Sequence, residues 1–372
     1  MHILQRLFCL PAKTPIHSYL RYYAKRPKWA MTSSRRMVHQ ELLRYVNPYA
    51  RINIKSDILL HVEPADVHVH TNGDVIIAQL LGGAVANSNA KLDVDVVDDD
   101  KVVNVLVKKL TEQSSQFKCL LKIPIRAELH IEGEAKVSVR GIDGDALKIK
   151  AVGDIVTKNV RATHISLSSE NGNIRCESTL LGKSTEIETL NGNISLDKLQ
   201  GDSLTCSTQA GDINTDCCYV EKSKFETITG RMELNNVHKT CEVYVHQTGA
   251  LKMTGVNGNL NVIAKGGSLN LQLSKLNGKS QIVAQNLEDE AIINISEAIE
   301  NININVQACQ VSLNYELEHV SHALSEDKSK FQLTNANEHH LVISSTGENG
   351  VRLGKQSWMD TMRQKMNLGD EA

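Results

Sequence analysis

The residues whose types and spacing could do chemistry are few. Asp66-Val-His-Val-His70 places His68 and His70 on one face of an extended segment, where two imidazoles could begin a metal site. No third ligand stands at a useful spacing, so the pair is expected as exposed strand histidines and no metal site is assigned. Gly182-Lys-Ser-Thr and Gly278-Lys-Ser end like a phosphate-binding loop, in which backbone N–H groups cradle the anion and the lysine reaches it. Five residues before those glycines stand Glu177 and Leu273 where the loop requires a further glycine, so both segments are expected as turns. There is no Gly-x-Ser-x-Gly elbow, no His-Glu-x-x-His pair and no Gly-x-Gly-x-x-Gly after a strand. No catalytic residue and no cofactor is assigned.

Eight cysteines (Cys9, Cys119, Cys176, Cys206, Cys217, Cys218, Cys241 and Cys309) contain no Cys-x-x-Cys and no histidine at zinc-finger spacing. In a chain of 372 residues they are expected as reduced, small hydrophobes of a core. Lys+Arg number 41 and Asp+Glu 43, a formal charge of -2 with a pI near 6.7. That balance gives no electrostatic reason to expect nucleic acid as partner. No apolar run approaches the ~18 residues of a membrane-spanning helix.

The elements that would position any site follow from an internal repeat. Glycines at 153, 172, 192, 211, 230, 249 and 267 are separated by 19, 20, 19, 19, 19 and 18 residues. Their phrases echo one another, as in Gly153-Asp-Ile, Asn171-Gly-Asn-Ile, Asn191-Gly-Asn-Ile and Ala210-Gly-Asp-Ile. A fixed period near 20 means a stacked array. Two residues after each glycine stand Ile155, Ile174, Ile194, Ile213, Met232, Leu251 and Leu269, and four after stand Thr157, Cys176, Leu196, Thr215, Leu234, Met253 and Leu271. That alternation is the period of a half-buried strand facing inward. A second turn column lies half a repeat away at Gly182, Gly201, Val220, Lys239, Gly258 and Gly278. Asn-Gly between strands also suits an antiparallel hairpin, so a meandering sandwich competes. Constant register over seven units favours parallel stacking at ~4.8 Å per coil.

The expected fold is all-β, a parallel β-solenoid of about 19 residues per coil. Its repeats cover 125–345, after a β-rich region over 51–124 that opens or caps the stack. All six prolines precede residue 125, which leaves every later backbone N–H free to join a ladder. A capping helix is expected over 355–368, with Ser357 as N-cap and Trp358, Met362 and Met366 on one face. It would cover the open end of the stack.

One constellation follows from the repeat. At +5 from successive glycines stand Lys158, Glu177, Asp197, Asp216 and Asn235, an outward position if +2 and +4 face in. Glu177, Asp197 and Asp216 are therefore expected as an acidic stripe, three carboxylates one coil apart whose repulsion a cation or basic protein would relieve. The same spacing is near that of retaining glycosidase carboxylates. A β-helix carbohydrate-active hydrolase or lyase using the stripe is thus the alternative to a non-enzymatic interaction module.

Up to Gln40 the chain has eight Arg or Lys and no acid, and Ile3, Leu4, Leu7, Phe8 and Leu10 could form one apolar helical face. This is the composition of a mitochondrial presequence. Arg21-Tyr-Tyr23-Ala24 resembles the Arg-x-Tyr/Ala cleavage pattern of matrix processing, so residues 1–23 are expected as presequence, with the cut after Tyr23, and 24–50 as linker. The expected location is the mitochondrial matrix, with an unidentified protein as partner.

The Gly-Asp/Asn-Ile units and the half-repeat Gly-Asp/Lys-Ser turns resemble the bacterial adhesin-type β-solenoid domain, a domain without assigned function, over about residues 120–320. Joined to a presequence, the chain is also similar to the animal mitochondrial family with sequence similarity one-eighty-five. The resemblance implies a β-helical fold and, for bacterial members, an adhesive role. It brings no catalytic residues.

Overall fold

The computed structural model describes residues 37–82, 90–110, 117–296 and 299–356. The N-terminal part holds strands β1 (Met37–Tyr45), β2 (Arg51–Ser56), β3 (Leu59–Pro64), β4 (Val75–Gly82), β5 (Ala90–Val97), β6 (Val102–Lys109) and β7 (Lys118–Ile123). β8 (Glu128–Gly133), β9 (Val137–Arg140) and β10 (Asp143–Ala151) lead into four long strands, β11 (Ile155–Ser169), β12 (Ile174–Thr189), β13 (Ile194–Ala210) and β14 (Ile213–Thr229). Then follow β15 (Arg231–Asn235), β16 (His238–Val245), β17 (Ala250–Ala264), β18 (Ser268–Leu276), β19 (Lys279–Gln285) and β20 (Ala291–Ile295). The C-terminal part holds β21 (Asn303–Gln307), β22 (Val311–Leu313), a 3₁₀ segment (Tyr315–Ala323), β23 (Lys330–Leu333), β24 (His340–Thr346) and β25 (Val351–Lys355).

The repeat stacks in parallel, in the expected phase. Ile155 lies opposite Ile174, Ile174 opposite Ile194 and Ile194 opposite Ile213, so equivalent residues meet one coil on. The Asn-Gly phrases are corners of a coil, and the central strands pair as no antiparallel sandwich would. In β11 the inward residues are Ile155 and Thr157, then Val160 and Ala162, then Ile165, Leu167 and Ser169. Strict alternation breaks after Thr157 and again after Ala162, so each coil bends twice and presents three short faces. The first bend carries a left-handed residue, Asn159 at φ 50° and Ser178 at φ 64° in successive coils. At the third corner the glycines sit too close for a side chain: a Cβ on Gly192 would lie 2.0 Å from the Gly172 carbonyl oxygen. Glycine recurs there because the coils touch backbone to backbone.

The second turn column is a bend within continuous strands. Gly182, Gly201 and Val220 lie opposite one another, and so do Lys239 and Gly258, but Gly258 lies opposite Leu276, which places Gly278 two residues past the column. The stack also runs beyond 125–345. Glycine spacing marks only the coils that keep the period, whereas β2 and β3 pair with β8 and β9, and β25 with β20, outside it. Of the helix expected over 355–368, Lys355 ends β25 and residues 357–368 lie outside the described residues. The described helical segments at this end are a 3₁₀ turn at Ile299–Asn301 and the longer 3₁₀ segment, which buries Leu317 and Val320.

Chain order and stacking order part company at both ends. β2 lies between β6 and β8, and β3 between β7 and β9, so the sheet outside them (β1, β4, β5, β6, β7) joins the coils through β2 and β3. At the other end β24 lies between β19 and β21, and β25 between β20 and β22.

Candidate functional site

The acidic column faces outward, and a one-residue insertion changes what its members meet. Lys158 lies opposite Glu177, with Nζ 3.7 Å from the carboxylate. Between Cys176 and Thr179 the register shifts, because the coil from Gly172 to Gly192 holds an extra residue. Asp197 is thereby set beside Ser178, whose backbone N–H donates to Asp197 Oδ2 at 2.7 Å. The Asp197 carboxylate thus satisfies the backbone of a left-handed corner. Asp216 is exposed, and no bond of its carboxylate is found among the described residues; its backbone carbonyl accepts from Asn236 Nδ2 at 3.0 Å. Asn235 closes the column by donating from Nδ2 to the Thr215 carbonyl at 3.1 Å. The three acids therefore share a face but have three different roles there.

The polar groups that most regularly join coil to coil escaped the sequence reading. Thr189 Oγ1 accepts the N–H of Gly192 at 3.1 Å and donates to the Gly172 carbonyl at 3.2 Å, and Ser169 makes the same two bonds with Gly172 and Gly153, at 3.0 Å each. Thr208 donates to the Gly192 carbonyl at 3.2 Å. Beside them the residue after each glycine forms a ladder: Asp154 Oδ1 accepts the N–H of Asn173, Asn173 that of Asn193, Asn193 that of Asp212, and Asp212 that of Arg231, all at 2.8–2.9 Å. The signal was a Ser or Thr three residues before the glycine and an Asn or Asp one after it. The Asn or Asp stands in the Gly-Asp/Asn-Ile phrases, whereas Ser169, Thr189 and Thr208 lie just before them.

A charged cluster lies on the third face. Glu226 accepts from Lys224 Nζ at 2.8 Å and lies 2.7 Å from His246 Nε2. Lys224 Nζ sits 5.1 Å from the centre of the Tyr244 ring, and the Tyr244 hydroxyl donates to Glu242 at 3.1 Å. The Lys224 hydrogen bond, then that of His246, holds the Glu226 carboxyl below its ordinary value against opposing desolvation, and the same contact raises Lys224. Sequence spacing hid the cluster because its members come from two coils.

Cys119, Cys176, Cys206, Cys218 and Cys241 are buried, Cys217 is half-buried and Cys309 exposed; Cys9 lies outside the described residues. Burial pushes the thiols of Cys119, Cys176, Cys218 and Cys241 up to about 12, which leaves them protonated and unreactive. His68 and His70 lie in the turn between β3 and β4, not on a strand, because the Asp66 carboxylate accepts the His68 N–H at 2.9 Å and folds the chain over. Among the described residues no group of three or more potential metal ligands gathers, and no helix is long and apolar enough to cross a membrane. Arg21, Tyr23 and Ala24 lie outside the described residues.

Among solved structures, the chain is similar to a putative adhesin from Bacteroides fragilis, with 14% identity over 64% of this chain and 96% of that one at a TM-score of 0.39. It is also similar to a putative adhesin from Parabacteroides distasonis, with 12% identity over 84% and 96% at 0.37. A putative cell adhesion protein from Clostridium sporogenes matches at 8% identity over 85% and 99%, at 0.19. Identities and scores this low say nothing of activity. The Toastrack DUF4097 family profile, in contrast, matches residues 131–350, more than half the chain and the whole run of glycine-marked coils. The chain belongs to the Toastrack DUF4097 family.

Proposed function

We propose that this protein is a structural or protein-interaction module that performs no chemistry of its own and binds a basic protein partner through the outward Glu177, Asp197 and Asp216 column. One observation carries the reading: the repeated polar side chains are bonded coil to coil, whereas Asp216 stands exposed on the outer face with its carboxylate unbonded among the described residues. A carboxylate in that position is stabilised by an incoming cation at little desolvation cost. Asp197 is held to a backbone N–H and Glu177 faces a lysine, an arrangement that suits a recognition surface better than the acid and base of a hydrolase.

The mitochondrial address is the second half of the proposal. It is supported by the acid-free, basic first forty residues and by Arg21-Tyr-Tyr23-Ala24, and the likeness to the animal mitochondrial family with sequence similarity one-eighty-five rests on these residues joined to the Gly-Asp/Asn-Ile repeat. The test is proximity labelling from the mature protein in mitochondria, followed by capture with Glu177→Gln, Asp197→Asn and Asp216→Asn combined. Loss of the captured partner with unchanged melting is the expected result. Undiminished capture removes the stripe from the reading, and labelling confined to cytosolic proteins removes the address.

A further inference from the structure

The order of strands at the C-terminal end separates one part of the stack from the rest. β21 pairs with β23 and β24, and β22 with β25. Among the described residues no ladder joins either strand to the coils that precede them in sequence. The backbone ladders of the cap formed by 303–333 therefore reach the solenoid through β24 and β25, which enter the slot between cap and coils last in chain order, and one side-chain bond, Ser312 Oγ to the Glu290 carboxylate at 2.7 Å, reaches the coils directly. The slot is well filled: Leu341, Ile343, Val351 and Leu353 are at most 1% exposed. Beyond the last strand, Ser296 Oγ donates to the Gln356 carbonyl at 2.6 Å, and Asn294 Nδ2 to Gln356 Oε1 at 3.1 Å.

We propose that residues 340–356 are a clasp, and that clasp and cap seat and release together as one conformational unit while the central coils stay folded. Parallel pairing on both edges makes each clasp strand hold two neighbours, so unseating it removes two ladders at once. The open edges of β19 and β20 then become strand-accepting, which is the state edge strands are otherwise built to avoid. Between 174 and 264 each coil is held by neighbours consecutive in the chain, and nothing there depends on the clasp.

Hydrogen exchange on the full chain tests this. In the unsubstituted protein under low denaturant, amides of 303–313 and 340–355 are expected to share one opening free energy and one denaturant dependence, below those of 174–264. With Leu353→Asp, exchange of 303–313 is expected to accelerate together with that of 340–355, by the same factor within ~3-fold, with 174–264 unchanged. Separate opening of 303–313 and 340–355 in the unsubstituted protein overturns the proposal, and so does retained protection of 303–313 in the variant. If the variant fails to fold, the measurement on the unsubstituted chain decides alone.

Discussion

Asp197 shows how one side chain can be read two ways. As an outward carboxylate between two others it is repelled, and its removal should relieve the fold. As the acceptor for the Ser178 N–H it holds a corner whose φ is 64°. The two roles separate by substitution. Asp197→Asn keeps an acceptor and sheds the charge, so its stability is expected within about 0.5 kcal/mol of the parent. Asp197→Ala orphans the N–H and is expected to cost about 1 kcal/mol. Urea unfolding of both variants measures the difference, and equal loss in the two would show that charge rather than acceptance matters. Glu226 offers a second test. Its folded value lies below its ordinary 4.5, so its contribution to stability is present above that pH and is lost as pH falls through the lower folded value. Glu226→Gln is therefore expected to flatten the acid limb of the Tm-against-pH profile below about pH 4.5, with no comparable change near neutrality.

At the scale of the coil, the stack depends on corners where backbone meets backbone. Gly192→Ala would push a methyl to 2.0 Å from the Gly172 oxygen, and forced separation of the two coils is expected to cost on the order of 3 kcal/mol. Thr189→Val keeps the shape but leaves the Gly192 N–H and the Gly172 carbonyl each short of a partner, for about 2 kcal/mol. The phase of the strand has its own pair of variants. Ile194→Asp places an unpaired carboxylate in the interior and is expected to cost on the order of 4 kcal/mol, whereas Ser195→Asp, on the outer face opposite Arg175, stays within about 0.5 kcal/mol. Thermal and chemical unfolding of the four proteins provide the comparison. Similar losses for Ile194→Asp and Ser195→Asp would contradict the inward column.

For the molecule as a whole, the ends decide how a stack of open sheets stays separate from its neighbours. Gln40 of β1 reaches across to β5, donating to the Leu92 carbonyl at 2.7 Å and accepting its N–H at 3.3 Å, which blunts that edge strand. β22 and β23 are three and four residues long, too short to template a long pairing. If residues 1–23 are a presequence, their removal is expected to leave Tm unchanged. Sequencing the endogenous protein is expected to find Ala24, or a residue shortly after it, at its N-terminus, and Arg21→Ala to displace or slow that cut. A retained Met1 would contradict the presequence.

The inward columns from Ile155 to Leu271, the coil of about 19 residues and the burial of most described cysteines were legible in the amino-acid order. In-register parallel stacking converts a period in the chain directly into contacts between equivalent residues, so the repeat encodes its own neighbours. The position of the acidic column was legible for the same reason. What its members bond to was not, because the insertion at Ser178 moves one carboxylate by a single residue, and hydrogen bonds are decided at that distance. The turn holding His68 and His70 depended on one local bond from Asp66, which alternation alone does not reveal. The strand order at the ends was decided by tertiary structure alone. β2, β3, β24 and β25 pair with partners that are not consecutive in the chain, and where no repeated phrase marks the register, the choice of neighbour falls to packing of the assembled core.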